Sequence, residues 1–339
     1  MIQITENQTL KPFNTFGIDC FARYFCSVSS KSELVQALDF GKKNQLQFLF
    51  LGGGSNLLIS KNFDGLVIKI ENKGIEVVGK TDKKTEIKVS AGENWHNLVI
   101  QSLESSWFGL ENLSLIPGNV GASPMQNIGA YGIEVKDLIT NVEFYNIELK
   151  EWQNFDATQC QFGYRESIFK HDLKGKAIIW SVTFSLYLIP DAKIEYGDIK
   201  AVLTRKQISN PGPKDVSDAV IEIRQSKLPD PKVLGNAGSF FKNPMVQPEI
   251  LEEIKKNYPE VPNFASDGGL FKIPAGWLIE KAGWKGKSLG NYGVHNKQAL
   301  VLVNYGNASG MEIFELAQSI QHDIKSKFNI ELQVEVNLI

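Results

Sequence analysis

FLFLGGGSNLLISKNFDGLVIKI, from Phe48 to Ile70, decides the fold. The apolar run QFLFL reads as a buried strand that stops on Gly52, Gly53 and Gly54, and GLVIKI, from Gly65, reads as the next one. Residues without side chains let backbone N–H groups approach a phosphate closely without help from a cation. The dinucleotide fingerprint of the doubly wound folds fails, because Leu57 stands where its third glycine belongs. The two strands are also too close in sequence for the crossover helix of about ten or more residues that a parallel βαβ unit needs. This predicts an α+β protein and excludes a Rossmann fold.

Working outward, the next glycine-rich stretch is LIPGNVGASPMQNIGAYG, from Leu115 to Gly132. It is too rich in small residues for a regular element and too apolar for a solvated linker, which predicts a packed loop. Two pliant backbone segments can grip a long cofactor from two sides, and a flavin dinucleotide fits that description better than a plain turn. GKS at Gly286–Ser288 ends like a P-loop, but Lys281 occupies the place of that motif's first glycine, so nucleotide hydrolysis is rejected.

Leu34, Ala37 and Leu38 recur at helical spacing between Ser30 and Asn44, and Asn94 is placed to cap a helix running to Ser106. GIEVV from Gly74, EIKVSAG from Glu86, VEFYNIE from Val142 and KAIIWSVTFSLYL from Lys176 read as strands. Val216, Ala219, Val220 and Ile223 mark another helix, and LPDPK from Leu228 carries the prolines of a domain boundary. The last third shows a helix at Ala275–Trp284, an apolar strand ALVLV, and a long helix opened by Ser309 and Glu312 as a capping box. Ile330, Leu332, Val334, Val336 and Leu338 alternate with polar residues, which predicts a closing strand buried on one face.

At 339 residues the chain exceeds what one core supports, and two or three domains are expected. Its 36 Lys+Arg balance 38 Asp+Glu, which speaks against a nucleic-acid surface or a polybasic membrane patch. The N-terminal residues lack the pattern of a signal peptide, and no stretch approaches the ~18 apolar residues of a membrane span, so a cytoplasmic protein is expected. Cys20, Cys26 and Cys160 form neither a CxxC pair nor an even set and read as buried, reduced thiols. His96, His171, His295 and His322 have no metal-ligand spacing, and no metal is assigned.

Three distant segments carry reactive groups. NAGSFFKNP, from Asn236 to Pro244, sets Ser239 in a turn backed by two phenylalanines; GYRESIFK, from Gly163, offers Arg165; LQVEV, from Leu332, offers Glu335. A hydroxyl, a guanidinium and a carboxylate together suggest an enzyme. Taken singly, each has a plain alternative as a turn serine, a surface arginine or a solvated carboxylate.

These strings, with NTFGI at Asn14, EYGD at Glu195, KLPDPK, AGWLIEKAG and VHNKQALVLVN, stand along nearly the whole chain. In that order they resemble the UDP-N-acetylenolpyruvoylglucosamine reductase (MurB) family of peptidoglycan precursor synthesis, and the EYGD segment resembles its first type. The resemblance implies a two-part, non-Rossmann FAD-binding region of the PCMH type plus a C-terminal α+β substrate-binding domain. The implied boundaries are 1–73 with the returning 330–339, then 74–228, then 229–329. It implies FAD held by Gly52, Gly53, Gly54, Ser55, Asn56 and Leu57, and by Pro117 to Gly132, with Pro117, Gly118, Gly121, Ala122, Ser123, Gly129, Ala130, Tyr131 and Gly132 in contact. It further implies Arg165, Ser239 and Glu335 as the catalytic group, and Tyr196, Lys227 and Asn243 on the uridine diphosphate.

The implied reaction passes hydride from NADPH through FAD to an enolpyruvyl ether on a sugar nucleotide, in a monomer that meets neither nucleic acid nor membrane. LQVEV stands where relatives often show LEPEV, and Asn337 where an arginine is common, so Glu335 rests on its place between Leu332 and Val336, with Glu331 the alternative. Two other readings share the fold: another FAD-dependent oxidoreductase, and a nucleotide-sugar binding protein without turnover. Arg165, Ser239 and Glu335 together argue against the latter, since binding alone needs no proton donor beside a cation.

Overall fold

The helix expected between Ser30 and Asn44 is α1 (Lys31–Lys43), and the structure shows a capping box opening it: the Ser30 hydroxyl accepts from Glu33 N–H while the Glu33 carboxylate accepts from the Ser30 backbone. Satisfying these otherwise orphaned donors is what starts a helix. Asn94 caps α2 (Trp95–Glu104), and the Ser309–Glu312 pair opens α7 (Gly310–Phe328) in the same way. Ile313, Leu316, Ala317, Ile320 and Ile324 form the buried stripe of α7. Between them in sequence lie α3 (Ile199–Arg205), α4 (Pro213–Lys227), α5 (Pro248–Asn257) and α6 (Ala275–Lys281). Of these, α3 and α5 were not among the expected elements. The computed structural model describes residues 2–339. Among them no helix is long and apolar enough to cross a membrane.

The chain divides into two compact units: one of residues up to Glu6, Tyr24–Gly53 and Asp64–Ser226, and one of Asn7–Arg23, Gly54–Phe63 and Lys227–Ile339. The first holds an antiparallel five-stranded sheet, in the order Glu151–Asp156, Ile139–Asn146, Ala177–Tyr187, Lys84–Ser90 and Ile75–Lys80. Trp95 locks α2 onto it. Its ring lies edge-on to Phe184 at 6.0 Å, worth about 0.5–1.5 kcal/mol beyond burial, and its indole N–H donates to the Leu113 carbonyl at 2.9 Å.

Gln47–Leu51 and Phe63–Ile70 pair in parallel, with Gln47 opposite Gly65 and Leu51 opposite Lys69. No helix lies in the residues joining them, so the parallel step is made by the glycine turn and a short extended piece, Leu57–Leu58. This is what removes the Rossmann connection while keeping two neighbouring parallel strands.

In the second unit Val301–Asn304 is the central strand between Gly235–Ser239 and Tyr292–Val294. The closing segment differs from the expected strand. Ile330, Leu332 and Val336 are buried, but Leu338 is exposed, and the segment changes partner along its length. Val334 bridges Phe241, whereas Asn337 and Leu338 pair in parallel with Leu57 and Leu58. A change of partner interrupts the ladder that one continuous strand would need.

The thiols of Cys20, Cys26 and Cys160 are buried and unpaired by disulfides. Burial, aided by a nearby carboxylate in each case, pushes them up to about 11, 12 and 12, which makes them inert at neutral pH.

Candidate active site

Gly52 and Gly53, which end the first unit's share of one glycine-rich segment, approach the other segment within that unit. A Cβ on Gly53 would stand 2.8 Å from the Gly118 Cα, a distance real side chains do not reach. Only a residue without a side chain lets these backbones lie so close. The second segment is then fastened to the start of α2: Trp95 N–H donates to Gly118 O at 3.0 Å, Val120 N–H to Glu93 O at 2.8 Å, and Gly121 N–H to Ala91 O at 2.9 Å.

Further along the same loop the Ser123 side chain is 1% exposed, and its Oγ has no hydrogen-bond partner among the described residues. A buried hydroxyl without a partner costs stability unless a bound group or water supplies one. The Gly53–Gly118 approach and the orphaned Ser123 oxygen both suit a group with acceptor oxygens lying along this backbone, as FAD has.

Arg165 is bound to that loop. It takes a left-handed conformation, φ +57°, and its two Nη atoms donate to the carbonyls of Asn127 at 3.3 Å and Gly129 at 2.6 Å. The guanidinium is thereby held on its own unit's loop, in a half-buried position. Tyr196 lies in the same unit and is 51% exposed. Its segment is tied back by Asn112, whose Nδ2 donates to both Tyr131 O at 3.0 Å and Lys193 O at 2.8 Å.

Ser239, Glu335, Asn243, Lys227 and residues 54–57 belong to the second unit. Gly238 has φ +71° and donates its N–H to Asn236 Oδ1 at 2.9 Å, which turns the chain so that Ser239 is exposed while Phe240 and Phe241 are 1% exposed beneath it. Their rings lie 5.2 Å apart at 61°, and Phe16 adds an edge contact to Phe240 at 6.3 Å. Glu335 comes beside this turn through its backbone, and its carbonyl accepts from Asn56 Nδ2 at 3.3 Å. Glu331 is instead exposed and paired with Lys325 at 3.1 Å. The Asn243 side-chain oxygen accepts from Ala275 N–H at 2.9 Å at the start of α6, which fixes the direction of its amide. Lys227 is exposed at the end of α4.

Residues 230–339 match the family described as UDP-N-acetylenolpyruvoylglucosamine reductase, C-terminal domain, and residues 22–148 match the family described as FAD binding domain. The UDP-N-acetylenolpyruvoylglucosamine reductase of Flavobacterium johnsoniae is 49% identical over 340 residues, covering 100% of both chains. The chain belongs to the UDP-N-acetylenolpyruvoylglucosamine reductase family. A second reductase of the family, from Pseudomonas fluorescens, is 45% identical over 99% of each chain. The reductase fold is also that of the Thermus caldophilus enzyme, with a TM-score of 0.67 at 21% identity over 100% of this chain and 98% of the other.

Two polar residues of the first unit, His96, considered from sequence only as a metal ligand and set aside, and Arg224, not singled out at all, also bear on this loop. His96 accepts from Leu115 N–H, and Arg224 donates to Leu115 O. Their signal was weak: a single histidine on a short helix, and a lone arginine four residues after Val220, beside the apolar stripe of α4.

Proposed function

We propose that this chain reduces UDP-N-acetylglucosamine enolpyruvate to UDP-N-acetylmuramate in peptidoglycan precursor synthesis, with NADPH as reductant and FAD as the bound carrier. Gly52 to Leu57 and the Pro117–Gly132 loop hold the cofactor. When bound, FAD supplies the hydride chemistry, while the protein supplies placement and charge. The observation that carries the reading is the Arg165 fork, held at Asn127 O and Gly129 O on the loop assigned to the flavin.

Hydride arrival at the terminal carbon leaves negative charge on its neighbour and on the attached carboxylate. Arg165 answers that charge with a planar, permanently ionised fork suited to two-point contact with a carboxylate. Ser239 gives the proton to the carbon next to the ether oxygen, a task that asks for close range and fixed orientation rather than an acidic hydroxyl. Glu335 orients the substrate or relays the proton to Ser239. Lys227 meets phosphate, Asn243 the nucleotide, and Tyr196 closes over it. The proposal keeps a flavin region, 1–73 with 330–339 and 74–228, and a substrate region, 229–329; the match of residues 22–148 to the FAD binding domain family supports the first in part, and that of residues 230–339 to the C-terminal domain family supports the second. Work as a monomer in the cytoplasm belongs to this proposal as well.

The test is optical. The purified protein is expected to be yellow, to bleach with NADPH in the absence of oxygen, and to recover its colour when the enolpyruvyl sugar nucleotide is added. A colourless protein, or a reduced flavin that oxygen reoxidises quickly and the uridine nucleotide does not, overturns the proposal.

A further inference from the structure

Leu115 stands at the entrance to the 117–132 loop with φ +58°, a left-handed conformation that a leucine keeps only when its surroundings hold it there. Its N–H donates to Nδ1 of His96 on α2 at 3.0 Å, and its carbonyl accepts from Nε of Arg224 on α4 at 3.3 Å. One residue earlier, the buried Ser114 hydroxyl donates to Glu111 O at 2.7 Å and meets the Ser217 hydroxyl of α4 at 2.8 Å. Both backbone polar groups of one strained residue are thus fastened to two different helices. The backbone that follows is zipped to residues 91–95.

We infer that His96 and Arg224 are positioning residues for the flavin: they hold the Leu115 turn so that the backbone from Pro117 to Ser123 is presented in one geometry. This rests on the reading that the loop holds FAD. The bond from Leu115 N–H exists in only one protonation state, since Nδ1 accepts only while unprotonated. Burial, and after it the nearby Arg224, lower the His96 pKa and keep the ring neutral. Around it, Glu111 spends its carboxylate on Gly109 N–H at 2.6 Å, and Glu93, ahead of α2, accepts from Gly74 N–H and pairs with Lys73. Arg224 is itself lowered by burial, with Tyr131 opposing and Arg165 adding to the effect. A proton on His96 ends the Leu115 bond and adds a cation beside Arg224.

The test compares the wild-type protein with His96→Asn, which keeps an acceptor that does not titrate, and His96→Leu, which has none. The FAD dissociation constant is read from flavin fluorescence from about pH 8 to about pH 5, and hydrogen exchange reports the Leu115 amide. Wild-type affinity is expected to fall as pH drops through the His96 pKa, below the usual 6.5. His96→Asn is expected to lose that dependence, and His96→Leu to bind about tenfold more weakly than wild type at about pH 8, the worth of one hydrogen bond, and to keep that weaker affinity unchanged as pH falls. The Leu115 amide stays protected in the Asn variant and exchanges freely in the Leu variant.

The same pH dependence in wild type and His96→Asn overturns the inference, as does unchanged Leu115 protection in His96→Leu. Protection that follows the acceptor while FAD affinity ignores it overturns the positioning role alone. A wild type that binds no FAD at any pH removes the underlying reading along with it, and is distinguished by that.

Discussion

The backbone N–H of Glu335 bonds the carbonyl of Phe240 at 2.8 Å, and Lys242 N–H bonds Gln333 O at 2.9 Å. The closing segment therefore runs against the residues that directly follow Ser239. This pairing brings a carboxylate-bearing residue to the hydroxyl's turn without any side-chain bond between them being required.

Ser239→Ala is expected to let NADPH bleach the flavin at the wild-type rate but to slow its reoxidation by substrate by roughly 10²-fold or more. Stopped-flow absorbance of each half-reaction checks this. An equal loss in both halves would show that Ser239 does not serve as the proton donor.

Arg165→Lys keeps a charge but loses the planar fork that the Asn127 and Gly129 carbonyls orient. Turnover is expected to fall by about 10²–10³-fold, or roughly 2.7–4 kcal/mol, with flavin content preserved. Steady-state rates beside the flavin-to-protein ratio measure both.

Gly53→Ala forces a Cβ to within 2.8 Å of the Gly118 Cα, whereas at Gly52 the nearest atom, Asn119 Cβ, lies 3.8 Å away. The first substitution is expected to cost about 1–3 kcal/mol and to weaken flavin retention; the second is expected to be tolerated. Thermal melts with and without added FAD separate the two.

Glu143 lies on the five-stranded sheet, nearly buried, with Lys31, Lys88 and Ser181 on its carboxylate. Burial works to raise its pKa, but these three partners outweigh it and bring the value from 4.5 to about 2. Because the folded value is depressed, the carboxylate's contribution is full above about 4.5 and is lost as pH falls toward about 2. Glu143→Gln is expected to destabilise by about 1–3 kcal/mol at neutral pH and to show a shallower acid loss than wild type in urea melts.

Local chemistry was what the sequence displayed most clearly. Asn94, and Ser309 with Glu312, act over a few residues, so their caps were legible before any fold was known, whereas the Ser30–Glu33 box of the same kind was not singled out. The parallel pairing of Gln47–Leu51 with Phe63–Ile70 was less so, because strand direction is set by how the intervening chain returns rather than by the strands themselves. The closing segment's alternation is real, but alternation reports burial and not the number of partners, and here the partner changes at Asn337. Ser239's turn could be read from Gly238 and the paired phenylalanines. The hold on Leu115 could not, since His96 is 19 positions from it and Arg224 is 109, and neither carries a distinguishing neighbour.

The second unit is sewn together from remote parts: Asn236 N–H bonds Thr15 O, and Asn304 Nδ2 donates to Phe16 O across 288 positions. During synthesis the stretch around Phe16 emerges long before Asn304 exists. Assembly of this unit cannot proceed in step with the ribosome, and contacts so distant along the chain are slow to form. Until the last third arrives, Phe16 lacks both the Phe240 ring that lies edge-on to it and the Asn304 amide on its carbonyl, so its burial comes late.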